Sequence, residues 1–203
     1  MQGRGLLHRS HGGALPAQPG ALFDPTLQEK EKRHHSEKVR IAAAAAELVQ
    51  ERQCVMLDSG TTTTAVALAL KKFSQLTIIT NGVNIAAELT GTHLDVILTG
   101  GMVRKNSFSL VGPLAEEMVA DMHADILFLG VDGFDLEIGL TTPNLLESRV
   151  NRPWWGLPPK WLLCVTRRSS TAEVCPASYR QPRFTMSSQI PISERRLRKL
   201  CEI

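Results

Sequence analysis

The chain has no apolar run approaching the ~18 residues needed to span a bilayer, and its longest candidate, residues 41–46, is mostly alanine. Its first five residues, Met1-Gln2-Gly3-Arg4-Gly5, do not open an apolar core followed by a small-residue cleavage site, so no signal peptide is expected. The 4 cysteines form no C-x-x-C pair and the 6 histidines show no metal-ligand spacing. A reduced, metal-free, cytoplasmic protein is the expectation. No Lys follows a glycine loop in the G-x-x-x-x-G-K-[ST] pattern, which leaves triphosphate chemistry unsupported. Aromatic residues are scarce at 5% and unevenly placed. All three Trp (Trp154, Trp155, Trp161) and the only Tyr (Tyr179) lie between positions 153 and 185.

The charge is just as uneven. The formal balance is +3, yet residues 1–152 hold 14 Lys/Arg against 17 Asp/Glu, and residues 153–203 hold 9 against 3. A whole-chain excess of positive charge would suggest an acidic partner, but here it averages two stretches of opposite character. At 203 residues the chain is one domain, or one domain with appendages, and long enough to bury a sizeable core.

Between residues 28 and 152 helical and strand patterns alternate, which predicts an α/β fold with a largely parallel sheet. A helix is expected over 29–51, where Val39, Ala42, Ala46 and Val49 recur at helical spacing. Apolar runs at 54–57, 76–80, 95–99 and 126–131 read as buried strands. Helices are expected over 65–72, 83–89, 113–121 and 143–152, two of them with Pro near the start. Every expected strand ends in small or polar residues: Asp58-Ser59-Gly60, Thr80-Asn81-Gly82, Thr99-Gly100-Gly101 and Gly130-Val131-Asp132-Gly133. In a parallel sheet these ends share one edge, where open α/β folds bind ligands. Gly, Asn and Asp are also ordinary turn residues, so one such end alone would mean little.

Ser59 to Thr63 joins a strand to a helix N-terminus, where free backbone N–H groups and the helix dipole favour an anion. Gly60 would let an anion approach, and Ser59, Thr61, Thr62 and Thr63 offer hydroxyls, a cradle suited to a phosphate monoester. A plain Ser/Thr helix cap is the other reading. Asp58, Asp132 and Glu147 are candidate acceptors for sugar hydroxyls, or a pair of turn residues and one solvated helix residue.

In order along the chain, residues 57–63 (Leu57-Asp58-Ser59-Gly60-Thr61-Thr62-Thr63), 80–86, 98–101 and 128–133 together resemble one family. They are similar to the effector-binding domain of DeoR-type bacterial transcriptional repressors, nearest the branch regulating amino-sugar or galactitol-type catabolism. Gly139 to Asn144, Glu147 and Val150-Asn151-Arg152 fit the same pattern. The resemblance implies a Rossmann-like sheet similar to ribose-5-phosphate isomerase and a phosphorylated-sugar effector that controls operator binding. It places the phosphate turn on Ser59 to Thr63 and other pocket residues on Asp58, Asn81, Gly100, Gly101, Asp132 and Glu147. It also implies self-association into a homo-oligomer, and no cofactor, metal or membrane partner.

Two departures from the family pattern define the expected domain organisation. Residues 5–14 resemble the last strand and wing of a winged helix-turn-helix, with Arg9 and His11 as phosphate-touching wing residues. The family's recognition helix would lie before them, where only four residues stand. Sequence is read by side chains reaching base edges, so this chain is expected not to bind an operator specifically. After Arg152 the family continues into a strand and Asp-Ser-Ser-Lys-Phe, whose Lys belongs to the pocket. Here Pro153-Trp154-Trp155 follows instead, and Pro breaks helices, so the helix is expected to stop. Val165 to Val174 can be encoded by a nucleotide string that, read from its third base, yields Asp-Ser-Ser-Lys-Phe. A reading-frame shift over 153–185 is therefore expected, with residues 161–165 still apolar enough to fill a strand slot. A divergent segment whose Trp and basic residues stack on nucleic acid is the competing view. The resulting division is a wing remnant at 1–15, a linker at 16–28, a sensor domain at 29–152, an aberrant segment at 153–185 and a family-like end at 186–203.

Two other functions fit parts of the pattern. A sugar-phosphate isomerase would need a base, for which Asp132 or Glu147 would serve, and a Lys with no counterpart here. An oligomerisation-only fragment would need neither.

Overall fold

The computed structural model describes residues 7–10, 13–16, 24–135, 139–154 and 161–164. Its centre is set by the four-residue run Cys54–Leu57, strand β3, which needs cover on both faces because Val55, Met56 and Leu57 are all fully buried. Strand β4 (Thr77–Thr80) pairs parallel on one side and strand β8 (Ile126–Gly130) on the other. Strand β5 (Asp95–Leu98) and strand β11 (Trp161–Cys164) complete a parallel sheet in the order β11-β8-β3-β4-β5. The expected α/β parallel sheet is thus observed.

Alternate residues of each strand face opposite layers. Val55, Leu57, Ile78 and Phe128 meet helices α2 (His35–Ala46), α3 (Thr61–Leu70) and α4 (Val83–Leu89). Met56, Ile79, Leu127 and Leu129 meet helices α5 (Pro113–Ala120) and α6 (Leu145–Trp154). Ala42, Ala45 and Ala46 give α2 a small-residue face that packs against α3, explaining the alanine run without a membrane role. Among the described residues, no helix is long and apolar enough to cross a membrane.

Several boundaries differ from the sequence reading, each for a local reason. The single helix expected over 29–51 is two, α1 (Leu27–Glu31) and α2, separated at His34, whose φ of 54° is left-handed. Helix α3 begins four residues before the expected Ala65, because the β-branched Thr61–Thr64 run is helical after all. Helix α6 starts after Pro143, with Asn144 Oδ1 accepting from the backbone N–H groups of Leu146 (3.0 Å) and Glu147 (3.2 Å). It also passes through Pro153 instead of stopping at Arg152. A proline one residue from a helix end removes a single terminal bond, and the fully buried Trp154 anchors that last turn. Two antiparallel hairpins, β6 (Met102–Arg104) with β7 (Ser109–Val111) and β9 (Gly133–Asp135) with β10 (Gly139–Thr141), have no counterpart in the sequence reading.

At the front, β1 (Leu7–Ser10) pairs antiparallel with β2 (Gly13–Pro16), where the wing remnant is expected. Arg9 falls in β1, and His11 lies outside the described residues. Residues 24–28, expected as linker, pack on the domain: the Leu27 N–H donates to the Asn106 carbonyl at 2.6 Å. At the back, Trp161–Cys164 occupies the outer strand slot, as the apolar character of that run predicts. Residues 165–203, with most of the expected frame-shifted segment and all of the family-like end, lie outside the described residues.

Candidate functional site

The strand order reverses between β3 and β8, since β4 and β5 extend the sheet one way and β8 and β11 the other. Chains leave these two neighbours towards opposite layers and open a crevice at their C-terminal ends. Residues 58–62 after β3 and 129–132 around the end of β8 line that crevice, with Pro25, Leu27, Lys30, Ser107, Thr142, Glu147, Ser148 and Asn151 closing it.

On the β3 side, Gly60 precedes α3 and no side chain caps the helix. The first-turn N–H groups of an α-helix have no intrahelical partner, so they face the crevice as donors. A Cβ at Gly60 would meet nothing closer than Thr63 Oγ1 at 3.5 Å, so packing does not demand glycine there. Thr63 and Thr64 turn their hydroxyls back onto the Gly60 carbonyl (3.0 and 2.6 Å), while Ser59, Thr61 and Thr62 line the crevice, with Ser59 Oγ 3.5 Å from Asp58 Oδ1. Buried Asn81 supports the turn from behind: its Oδ1 accepts from the Ser59 N–H at 3.0 Å and its Nδ2 donates to the Leu110 carbonyl.

Three carboxyl groups line the crevice, Asp58 at the base of the β3 side and Asp132 and Glu147 opposite it, and each has its charge muted differently. Asp58 is almost completely buried, and burial, reinforced by Glu147, pushes its pKa well above the usual carboxylate range. Asp132 is about a third exposed and pairs with Lys30 Nζ at 2.5 Å. Glu147 is buried, which favours its neutral form, but hydrogen bonding from Ser107 and the Arg104 guanidinium overcome this and hold its pKa below the usual value. Arg104 Nη1 donates to Glu147 Oε1 at 2.7 Å and to Ser107 Oγ at 3.0 Å, while Nη2 donates to Asp24. Ser109 Oγ adds a donor to Glu147 at 3.0 Å. Thr142 Oγ1 lies within reach of both Asp132 (3.3 Å) and Glu147 (3.4 Å). The raised pKa of Asp58 and the cations beside Asp132 and Glu147 lower the negative charge these groups present, so they can accept hydroxyl donors with less repulsion of an anion across the crevice. Beside Asp58, burial and that carboxyl push the Cys164 thiol up to about 12, so it is a structural, unreactive group.

Of the residues singled out in the sequence, Asp58, Ser59, Gly60, Thr61, Thr62, Asp132 and Glu147 line the crevice. Thr63 and Asn81 lie behind it as supports of the turn. Gly100 and Gly101 do not line it. A Cβ at Gly100 would stand 2.7 Å from Leu114 Cδ2, and one at Gly101 (φ 124°) 2.7 Å from the Val111 carbonyl oxygen, so both permit close packing of α5 and β7. Sequence reasoning missed Arg104, Lys30, Asp24 and Thr142. The Arg104 and Asp24 signals were absent because their partners stand 43 and 80 positions away in the chain.

A family model described as the DeoR C-terminal sensor domain matches residues 33–154. The HTH-type transcriptional regulator GlpR of Haloferax volcanii is 41% identical over 150 residues, covering 74% of this chain and 58% of that protein. The HTH-type transcriptional regulator GolR of Listeria innocua is 38% identical over 153 residues, covering 75% of this chain and 60% of that protein. The chain thus spans well under two thirds of the length of these relatives. Among solved structures, a D-ribose-5-phosphate isomerase in complex with phospho-erythronic acid superposes with a TM-score of 0.52 over 70% of this chain and 57% of its own, at 11% identity, a likeness of fold alone. By the sequence match across its central parallel sheet and crevice, the chain belongs to the DeoR C-terminal sensor domain family.

Proposed function

We propose that the crevice binds a phosphorylated sugar and that its occupancy controls operator binding by the regulator to which this sensor domain belongs. The observation that carries the reading is the uncapped N-terminus of α3 opening, with the Ser59, Thr61 and Thr62 hydroxyls, opposite a charge-compensated carboxyl wall. The phosphate takes the α3 turn, where N–H donors and the helix dipole act together. Sugar hydroxyls donate to Asp132 and Glu147. A regulator, and not an isomerase, fits best because the matched relatives are named as transcriptional regulators. Self-association is part of the proposal and is supported by the exposed edge beside β5. There Ile97, Leu98, Met102, Val103 and Leu114 leave large apolar side chains uncovered. Light scattering that shows only monomer would exclude that part.

The effector reading is tested by thermal shifts with paired sugars, each phosphorylated and unphosphorylated. A ligand at a hundred times its dissociation constant stabilises by ~2.7 kcal/mol. At least one phosphorylated member should raise Tm, its parent sugar should not, and S59A/T61V should lose the shift. Equal shifts with both members of every pair, or none at all, overturn the reading.

A further inference from the structure

The match to the sensor family begins at residue 33, yet part of the crevice wall stands before it. Pro25, Leu27 and Lys30 line the crevice from outside the matched region. This short stretch is held to the domain by the Leu27 N–H on Asn106, by Arg104 on Asp24, and by Lys30 on Asp132. Asn106 Nδ2 adds a bond to Asp24 Oδ2 at 3.2 Å. One of these ties ends on a crevice carboxylate, and a second reaches one through Arg104. Lys30 reaches Asp132 directly, and Arg104 is shared between Asp24 and Glu147. The Thr142 hydroxyl lies within reach of both carboxylates and can donate to one of them at a time, so Asp132 and Glu147 share a single donor.

We propose that residues 24–31 read the occupancy of the crevice, with Lys30 as a ligand-binding cation that exchanges Asp132 for the bound anion. The inference rests on the reading that the crevice takes a phosphorylated sugar, and it names the residues through which that binding is passed on. When a sugar hydroxyl donates to Asp132, the Lys30–Asp132 pair gives up acceptor capacity. The anion on the α3 turn then offers the ammonium a new partner across the same crevice. Lys30 is a quarter exposed and Asp132 a third, so neither is locked by packing and the exchange requires only side-chain movement. Arg104 is the least exposed of the four at 11%, and Asp24 is held by both Arg104 and Asn106, so this pair serves as the fixed end of the same stretch. Ligand binding thereby changes what holds the chain immediately ahead of the sensor domain, the direction in which residues 7–16 lie. An effect on DNA binding needs such a connection, because a ligand shifts an equilibrium only through contacts that differ between its states.

Amide hydrogen exchange on the full chain tests the connection without a ligand. Asp132→Asn and Lys30→Gln should each speed exchange over residues 24–31 about fivefold or more, while residues 54–70 keep their protection. Unchanged exchange over 24–31 in both variants overturns the proposal. Binding supplies the second arm, with inorganic phosphate, pentose 5-phosphates and hexose 6-phosphates as probes. For a probe that binds the wild-type chain, Lys30→Gln should weaken affinity about tenfold or more, the loss of one charged hydrogen bond, and Lys30→Arg should restore most of it. Wild-type affinity in Lys30→Gln overturns the role of Lys30 and leaves the effector reading standing. Failure of every probe on the wild-type chain overturns the effector reading, while the exchange result still decides whether residues 24–31 are tied to the crevice carboxylates.

Discussion

Replacing Arg104 by Met removes the cation that holds Glu147 ionised inside the protein. The two side chains are each only 11% exposed and meet at 2.7 Å. Removing one partner of a buried pair costs about 3–5 kcal/mol, because the remaining charge is left without compensation. Asp24 loses its partner in the same step but is more exposed at 20%, so it adds little. With a urea m-value of about 2 kcal/mol/M, a loss of ~3 kcal/mol moves the unfolding midpoint by roughly 1.5 M. The pH dependence gives a sharper signature. Glu147 has its pKa lowered in the folded wild-type chain, so its contribution is present above its unfolded value of 4.5 and fades as pH falls through the folded value. Without Arg104 two of the effects that oppose burial are gone, and the folded pKa should rise. The penalty of R104M should therefore be full at pH 7 and shrink as pH falls through the carboxylate range. Adding E147Q should recover a large part of it, giving a coupling energy above 1 kcal/mol in the double-mutant cycle. A midpoint shift below about 0.3 M at pH 7, or a penalty that is the same at pH 7 and pH 4, refutes the buried-pair reasoning.

Three other outcomes follow from the same geometry. Asp58 has its pKa raised by burial, so the folded chain binds that proton more tightly, and stability should fall as pH rises from about 4 through the folded pKa. D58N lacks this loss, so its Tm advantage over the wild type should grow with pH; a difference independent of pH contradicts the assignment. Cys164, with its thiol near 12, should stay unlabelled by a thiol reagent at pH 8 in the folded chain, as read by peptide mass spectrometry. Rapid labelling there would mean that the β11 slot is open. Gly101→Ala should lower the urea midpoint, because its Cβ would stand 2.7 Å from the Val111 carbonyl oxygen at a φ of 124°, whereas Gly100→Ala should cost little because the exposed Leu114 can turn away; equal midpoints for the two variants would contradict this.

How much of this was legible in the sequence depended on range. The strands at 54–57 and 126–130 are short apolar runs closed by Asp or Gly, and such runs in alternation with helices dictate a parallel sheet. The turn before α3 was equally local, since Ser59 to Thr62 carry both the strand end and the helix start. The carboxyl wall was legible as residues but not as a charge state. Nothing near Glu147 in the chain announces Arg104, which the β6–β7 hairpin delivers from 43 positions away. Lys30 was invisible for the same reason, because α1 reaches the crevice only once residues 24–28 dock instead of running free. Gly100 and Gly101 show the converse: a pattern shared with other strand ends, used here for helix packing and not for the crevice. Pro153 looked like a helix stop because its cost was counted as for a helix interior, and it stands one residue from the end.

The central claim is that an anion seats on the turn before α3. Backbone amide chemical shifts measured during titration with a phosphorylated sugar that stabilises the chain test it most directly. The largest perturbations should fall on Gly60, Thr61 and Thr62, with smaller ones at Lys30 and Asp132. Perturbations centred on Gly100 and Gly101 or along β5, with the 59–62 amides unmoved, would contradict it.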